Sequence, residues 1–268
     1  MYRLKNLSAQ KVIIAAHRGT FGANIIQNTI PAFLTAIKQG ADMIEVDVIS
    51  SKDGVLYGFH TCAEASLGMS VNISELTSLE IDKHNCHNVL EQKSGFTLNR
   101  LTDILEQLRG KCFINIDRAF VDNWEGVINI IEEANAQQYV LLKSPPQEQF
   151  LVSLQNKKIM YMPILRSLKE FELVKKFDIN IVAVELIFDT LEHELVLPET
   201  MKSFENAGLL TWVNAIDMGE EHNLSAGLTD TKAILESEED NWGKLIELGF
   251  NIIQTDWPSI LDSYLKTI

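Results

Sequence analysis

The chain has 268 residues, 46% of them hydrophobic and 22% charged, with a formal net charge of -14. That is enough apolar sequence for a sizeable core and about the length of one α/β barrel. A charge this negative leaves no broad positive field for nucleic acid or an anionic bilayer, so any phosphate must be gripped locally, by a metal or a few placed cations.

Residues 1–11 are basic but lack the apolar core of about 7–15 residues that a signal peptide needs, and no apolar run approaches the ~18 residues of a membrane span. Cys62, Cys86 and Cys112 are odd in number, widely spaced and without a Cys-x-x-Cys pair, which fits a reduced, cytoplasmic protein.

Short β-branched runs then alternate with amphipathic ones. Strands are expected at 12–16, 43–48, 112–116, 139–142, 160–164, 181–187, 209–215 and 251–254, and helices at 29–39, 98–108, 124–134, 167–177, 199–207, 242–248 and 259–266. Gly40, Gly110, Gly208 and Gly249 each fall between a helix and the next strand. Eight strand–helix units without a domain-sized linker favour a (β/α)₈ TIM barrel spanning residues 1–268 as a single domain. Two stretches break the rhythm. Residues 55–97 begin with an additional extended run, Val55–Phe59, then become polar and turn-rich, and read as a small insertion after the second strand; residues 217–240 read as a long acidic loop before the last helix.

The strand Met43-Ile44-Glu45-Val46-Asp47-Val48 sets two carboxylates at i and i+2, on one face of an otherwise apolar run. Burying two like charges raises their pKa values unless a partner arrives, either a structural Arg or Lys or a hard divalent cation. Asp117 closes the next apolar strand, at the end where barrels keep their catalytic groups. The first strand runs straight into His17-Arg18-Gly19, which suits proton transfer, a planar grip on phosphate and a tight turn. His60, after Tyr57-Gly58-Phe59, is a second imidazole for acid–base work. Glu185 is another acid within an apolar strand, and Trp212 is expected to wall the space for a substrate's carbon chain. His84-Asn85-Cys86-His87 lacks metal-ligand spacing and is expected to be a solvated loop.

Taken in order, His17-Arg18-Gly19, Asn28-Thr29, Gly40-Ala41-Asp42, Glu45-x-Asp47-Val48, Lys52-Asp53-Gly54 and His60 resemble the opening signature of glycerophosphodiester phosphodiesterases. Asn115-Ile116-Asp117, Lys143-Ser144, Trp212-Val213-Asn214 and Thr255-Asp256-x-Pro258 continue the resemblance. It implies a barrel that hydrolyses a small glycerophosphodiester to glycerol 3-phosphate and an alcohol. Metal ligands would be Glu45, Asp47 and Asp117, holding one Mg²⁺ or Ca²⁺; His17 and His60 would be acid and base; and Arg18, with Lys143, would contact phosphate. The chain departs from the family pattern at Gln27, Thr61 and Ala119, the last replacing a lysine. Arg118, on the opposite side of a regular strand from Asp117, is expected to be a poor substitute. Alternatives are hydrolysis of another phosphodiester, with an inositol or sugar head group or a lysophospholipid, and a barrel that binds phosphorylated ligands without turnover.

Overall fold

The structure is a computed structural model describing residues 4–61, 63–219 and 222–268, so Cys62 and the basic start at Met1, Tyr2 and Arg3 lie outside the described residues. Among the described residues nine strands form one sheet: β1 (Ile13–His17), β2 (Met43–Ser50), β3 (Leu56–Gly58), β4 (Phe113–Asp117), β5 (Val140–Ser144), β6 (Met160–Leu165), β7 (Ala183–Leu186), β8 (Leu210–Asn214) and β9 (Ile252–Thr255). All but β3 run parallel, and β1 pairs with both β2 and β9, which closes eight strands into a barrel. The eight are those expected from the sequence. β3 is antiparallel and caps the end of β2, pairing Val48 with Gly58 and Ser50 with Leu56.

The period-2 alternation of each strand sorts its residues into two cores. On β2, Ile44, Val46 and Val48 pack outward against the helices, whereas Met43 joins Ile13, Phe113, Leu141, Trp212 and Ile252 inside the barrel's N-terminal end. A helix not expected from the sequence, Leu4–Ser8, places Leu4 on that inner cluster. Outside, the helix Leu101–Leu108 buries Leu101, Ile104, Leu105 and Leu108, a stripe at i, i+3, i+4 and i+7. Each such side chain contributes roughly 1.5–3 kcal/mol when fully buried, which holds in place a helix too short to persist alone.

β3 falls within the extended run expected at 55–59, but the rest of the insertion is more than turns. It contains two 3₁₀ turns and the helix Ser78–Lys83, folded over a core of Ile26, Tyr57, Leu67, Ile73, Ile81 and Leu98. Cys86 is fully buried in that core and the His84 ring bonds to the Leu67 carbonyl, so the 84–87 stretch is not a solvated loop. Its apolar residues are too sparse and irregular to announce a face in the sequence, yet they suffice against a sheet that is already there. Residues 217–240 are likewise only partly a loop: Asp230–Leu235 is helical, with the Thr229 hydroxyl accepting the Lys232 N–H at its start.

Candidate active site

The register of the first strands brings the expected residues together. His17 lies beside Glu45 across β1 and β2, and Asp47 lies beside Asp117 across β2 and β4. Glu45, Asp47 and Asp117 all point inward, and one carboxylate oxygen from each lies within 4.8 Å of the others. Above them opens a cavity of about 460 Å³ whose lining includes His17, Arg18, His60, Lys143 and Glu185. A polar layer thus sits on the apolar plug, because inward positions two residues further along each strand switch from Met43, Phe113, Leu141 and Ala183 to Glu45, Asn115, Lys143 and Glu185.

Several of the functional side chains are held by other residues. Asn28 grips Asp47 twice: its Nδ2 donates to the carboxylate at 3.1 Å and its Oδ1 accepts the Asp47 N–H at 3.0 Å. Arg18 lies 2.9 Å from Asp47 through Nε, donates to Gln27 at 3.2 Å, and gives its backbone N–H to the Glu45 carboxylate at 3.1 Å. Arg18 and Asn28 occupy the left-handed region, with φ of 57° and 58°, strain of the kind that persists where the surroundings fix a site. Gly19, between them, has φ of 74°, and a Cβ there would stand 2.7 Å from the Ala32 carbonyl carbon. His17 Nδ1 lies 2.9 Å from the Asp256 carboxylate. Asp256 in turn donates its backbone N–H to the buried carboxylate of Asp230, which also accepts from Thr255 and the Trp242 indole. In the sequence Asp230 falls in the acidic 217–240 stretch and Asp256 in the Thr255-Asp256-x-Pro258 motif, and the strand-end position of Asp256 is its one local signal.

The family model described as the glycerophosphoryl diester phosphodiesterase family matches residues 17–142, the stretch that supplies both histidines and all three clustered acids. Over that stretch the chain is similar to glycerophosphodiester phosphodiesterases. Residues 161–265 also match a family model described as a domain of unknown function. A glycerophosphodiester phosphodiesterase of Caldanaerobacter subterraneus is 30% identical over 145 residues, covering 50% of this chain and 58% of that protein. The chain spans about half the length of such curated relatives. Among solved structures, a glycerophosphoryl diester phosphodiesterase from Parabacteroides distasonis has a TM-score of 0.76 at 17% identity, over 100% of this chain and 93% of its own. An Oleispira antarctica phosphodiesterase, solved in complex with the product sn-glycerol-3-phosphate, has a TM-score of 0.68 at 17% identity, over 96% and 98%. At these identities the solved structures establish the fold.

Within the cavity the electrostatics are unbalanced. Lys143 bridges Asp117 at 3.0 Å and Glu185 at 3.1 Å, and Arg18 meets Asp47, while Glu45 has no ion pair among the described residues. Burial, then the neighbouring Asp47, push the Glu45 carboxyl well above the usual range despite Lys143 nearby. Burial works against the Lys143 ammonium, but Asp117, Glu185 and Glu45 together outweigh it and hold its pKa above the ordinary value. Burial first, with Arg18 and Arg118 adding, lowers the His60 pKa against the opposing pull of Asp47. Hard oxygen donors carrying surplus negative charge fit a divalent cation, whose oxygen ligands stand at ~2.0–2.6 Å.

Two expectations need correction. Trp212 is on the inward face of β8 but one layer too deep: it is fully buried in the plug, 5.3 Å under the Lys143 ammonium, and its indole donates to Asn214, which lines the cavity in its place. Two strand residues advance ~6.6 Å, and that depth is invisible to alternation. Arg118 does not point away. β4 ends at Asp117, and Arg118 takes φ of 62°, which breaks the alternation and puts its side chain in the cavity lining.

Proposed function

We propose that this chain hydrolyses glycerophosphodiesters to glycerol 3-phosphate and an alcohol, with one divalent cation, Mg²⁺ or Ca²⁺, held by Glu45, Asp47 and Asp117. The observation that carries this reading is the clustering of those three carboxylates at a cavity lined by two of them, Asp47 and Asp117, together with His17 and His60. The product named for the Oleispira antarctica neighbour, sn-glycerol-3-phosphate, supports the substrate class. When bound, such an ion supplies charge stabilisation at a phosphoryl oxygen.

His60, whose pKa is lowered, is neutral near pH 7 and takes the proton of the attacking group, either water or a neighbouring glycerol hydroxyl. His17, held by the Asp256 carboxylate, gives a proton to the departing alkoxide. Arg18 and Lys143 keep N–H donors beyond those spent on Asp47, Gln27, Asp117 and Glu185, and turn them to the phosphate. Asn28 fixes the Asp47 carboxylate so that it need not reorganise during reaction. Residues 1–268 work as one phosphodiesterase barrel, and the free thiols Cys86 and Cys112 suit a reducing cytoplasm. Among the described residues no helix is long and apolar enough to cross a membrane.

The test is release of glycerol 3-phosphate from glycerophosphocholine and glycerophosphoethanolamine, with and without EDTA, beside His17→Ala. Metal-dependent release that the substitution abolishes is the expected result. Tight phosphate binding with no metal-dependent turnover of these diesters, of a chromogenic diester or of glycerophosphodiesters with an acidic alcohol would make the chain a binding barrel instead.

A further inference from the structure

Four long cations line the cavity, Arg18, Arg118, Lys143 and Arg166, and they divide by how their charge is met. Arg18 is paired with Asp47, and Lys143 is shared between Asp117 and Glu185. Arg118 and Arg166 form no ion pair with any described residue, although both line the same space. The Arg118 Nε is shut off from solvent and has no hydrogen-bond partner. A guanidinium donor in that condition costs free energy that a ligand oxygen returns.

Their placement is specific. Arg118 follows the last residue of β4 and Arg166 the last residue of β6, with β5 between them, so both belong to the β4–β6 side of the mouth, away from His17 on β1. The lining on this side also carries Phe120 and Ile164, apolar surface suited to carbon. A diester phosphate brings one negative charge, and Arg18, Lys143 and a cation on the acid cluster already face it. Two further guanidinium groups, each able to take two oxygens of a planar or tetrahedral anion, exceed what that phosphate needs.

We infer that Arg118 and Arg166 form a recognition site for a second anionic group, a carboxylate or a phosphate monoester, on the alcohol portion of the substrate. This rests on the phosphodiesterase reading above and narrows its substrate class to diesters whose leaving alcohol is itself acidic. Phe120 and Ile164 then contact the carbons between the two anions, and the exposed Arg166 meets the outer one as it enters.

Two matched pairs test it: glycerophosphoserine against glycerophosphoethanolamine, which differ by a carboxylate, and glycerophosphoinositol 4-phosphate against glycerophosphoinositol, which differ by a phosphate monoester. The expected result is a kcat/KM ratio of about tenfold or more favouring the anionic member of at least one pair, the pair that responds identifying the anion. In Arg166→Met and Arg118→Met, shown folded by circular dichroism melting, that ratio falls below about threefold. Ratios near one in both pairs of the parent protein overturn the inference and leave the phosphodiesterase reading standing, with no variant needed. Variants that lower both members of a pair equally also overturn it, since the arginines would then grip the diester itself. Turnover of none of the four compounds ends the phosphodiesterase reading and the inference with it.

Discussion

Replacing Asp230 by Asn should change how stability depends on pH, by an amount the structure sets. The carboxylate is 1% exposed; its Oδ1 accepts from the Trp242 indole and the Thr255 hydroxyl, each at 2.9 Å, and its Oδ2 accepts the Asp256 N–H at 2.8 Å. Burial raises its pKa from the ordinary 3.8 to about 7, against those three hydrogen bonds, which favour the charged form. The native state therefore keeps a proton that the unfolded chain has released. This favours folding fully below about pH 4, declines as pH rises, and is gone above about pH 7. Three units at ~1.36 kcal/mol each make about 4 kcal/mol. Asn cannot titrate, so the stability of the parent minus that of Asp230→Asn should fall by about 4 kcal/mol between pH 4 and pH 8. Urea unfolding followed by tryptophan fluorescence measures it at each pH. A difference that does not vary with pH, or that moves in favour of the parent as pH rises, refutes the argument. The same substitution turns an amide donor on the Asp256 N–H, loosens the partner of His17, and should lower kcat about 10- to 100-fold with the protein still folded.

Glu45→Gln should erase the thermal stabilisation given by Mg²⁺ or Ca²⁺, which for the parent is about 2.7 kcal/mol at a hundred times Kd, while making the metal-free protein more stable by removing one of the crowded charges. Differential scanning fluorimetry with and without metal reads both effects; a metal shift that survives in the variant places the ion elsewhere. Asn28→Ala loses both hydrogen bonds to Asp47 and puts Ala at φ of 58°, so it should cost about 2–4 kcal/mol in denaturant unfolding and reduce turnover. A loss under 1 kcal/mol would mean that the amide clamp is dispensable. Trp212→Phe should destabilise by about 1–3 kcal/mol through imperfect filling of the plug and change KM less than about twofold, since the indole does not reach the cavity. A large KM change with unchanged stability would return Trp212 to the substrate wall.

Much of this protein was legible before folding, because the barrel repeats a local rule. Eight β-branched runs separated by amphipathic ones specify parallel strands and their covering helices, and two carboxylates at i and i+2 in an apolar strand must share a face whatever lies opposite. Glu45, Asp47 and Asp117 could therefore be paired on paper, and the backbone register of β2 against β4 brings them together. Other features depend on which chains meet. The insertion's small core forms only against the end of β2, and Asp230 and His17, far apart in sequence, are linked through Asp256 only once β9 pairs with β1. Alternation assigns Trp212 and Asn214 the same inward direction but not their depth, and a single left-handed residue reverses the direction expected for Arg118. The sequence by itself determined the strands, their inward faces and the acids and imidazoles that ride on them, since these follow from nearest-neighbour geometry. Only the tertiary structure decided which charges are answered and which are left over, because a salt bridge needs two side chains brought within a few Å across the barrel and no local pattern records that distance.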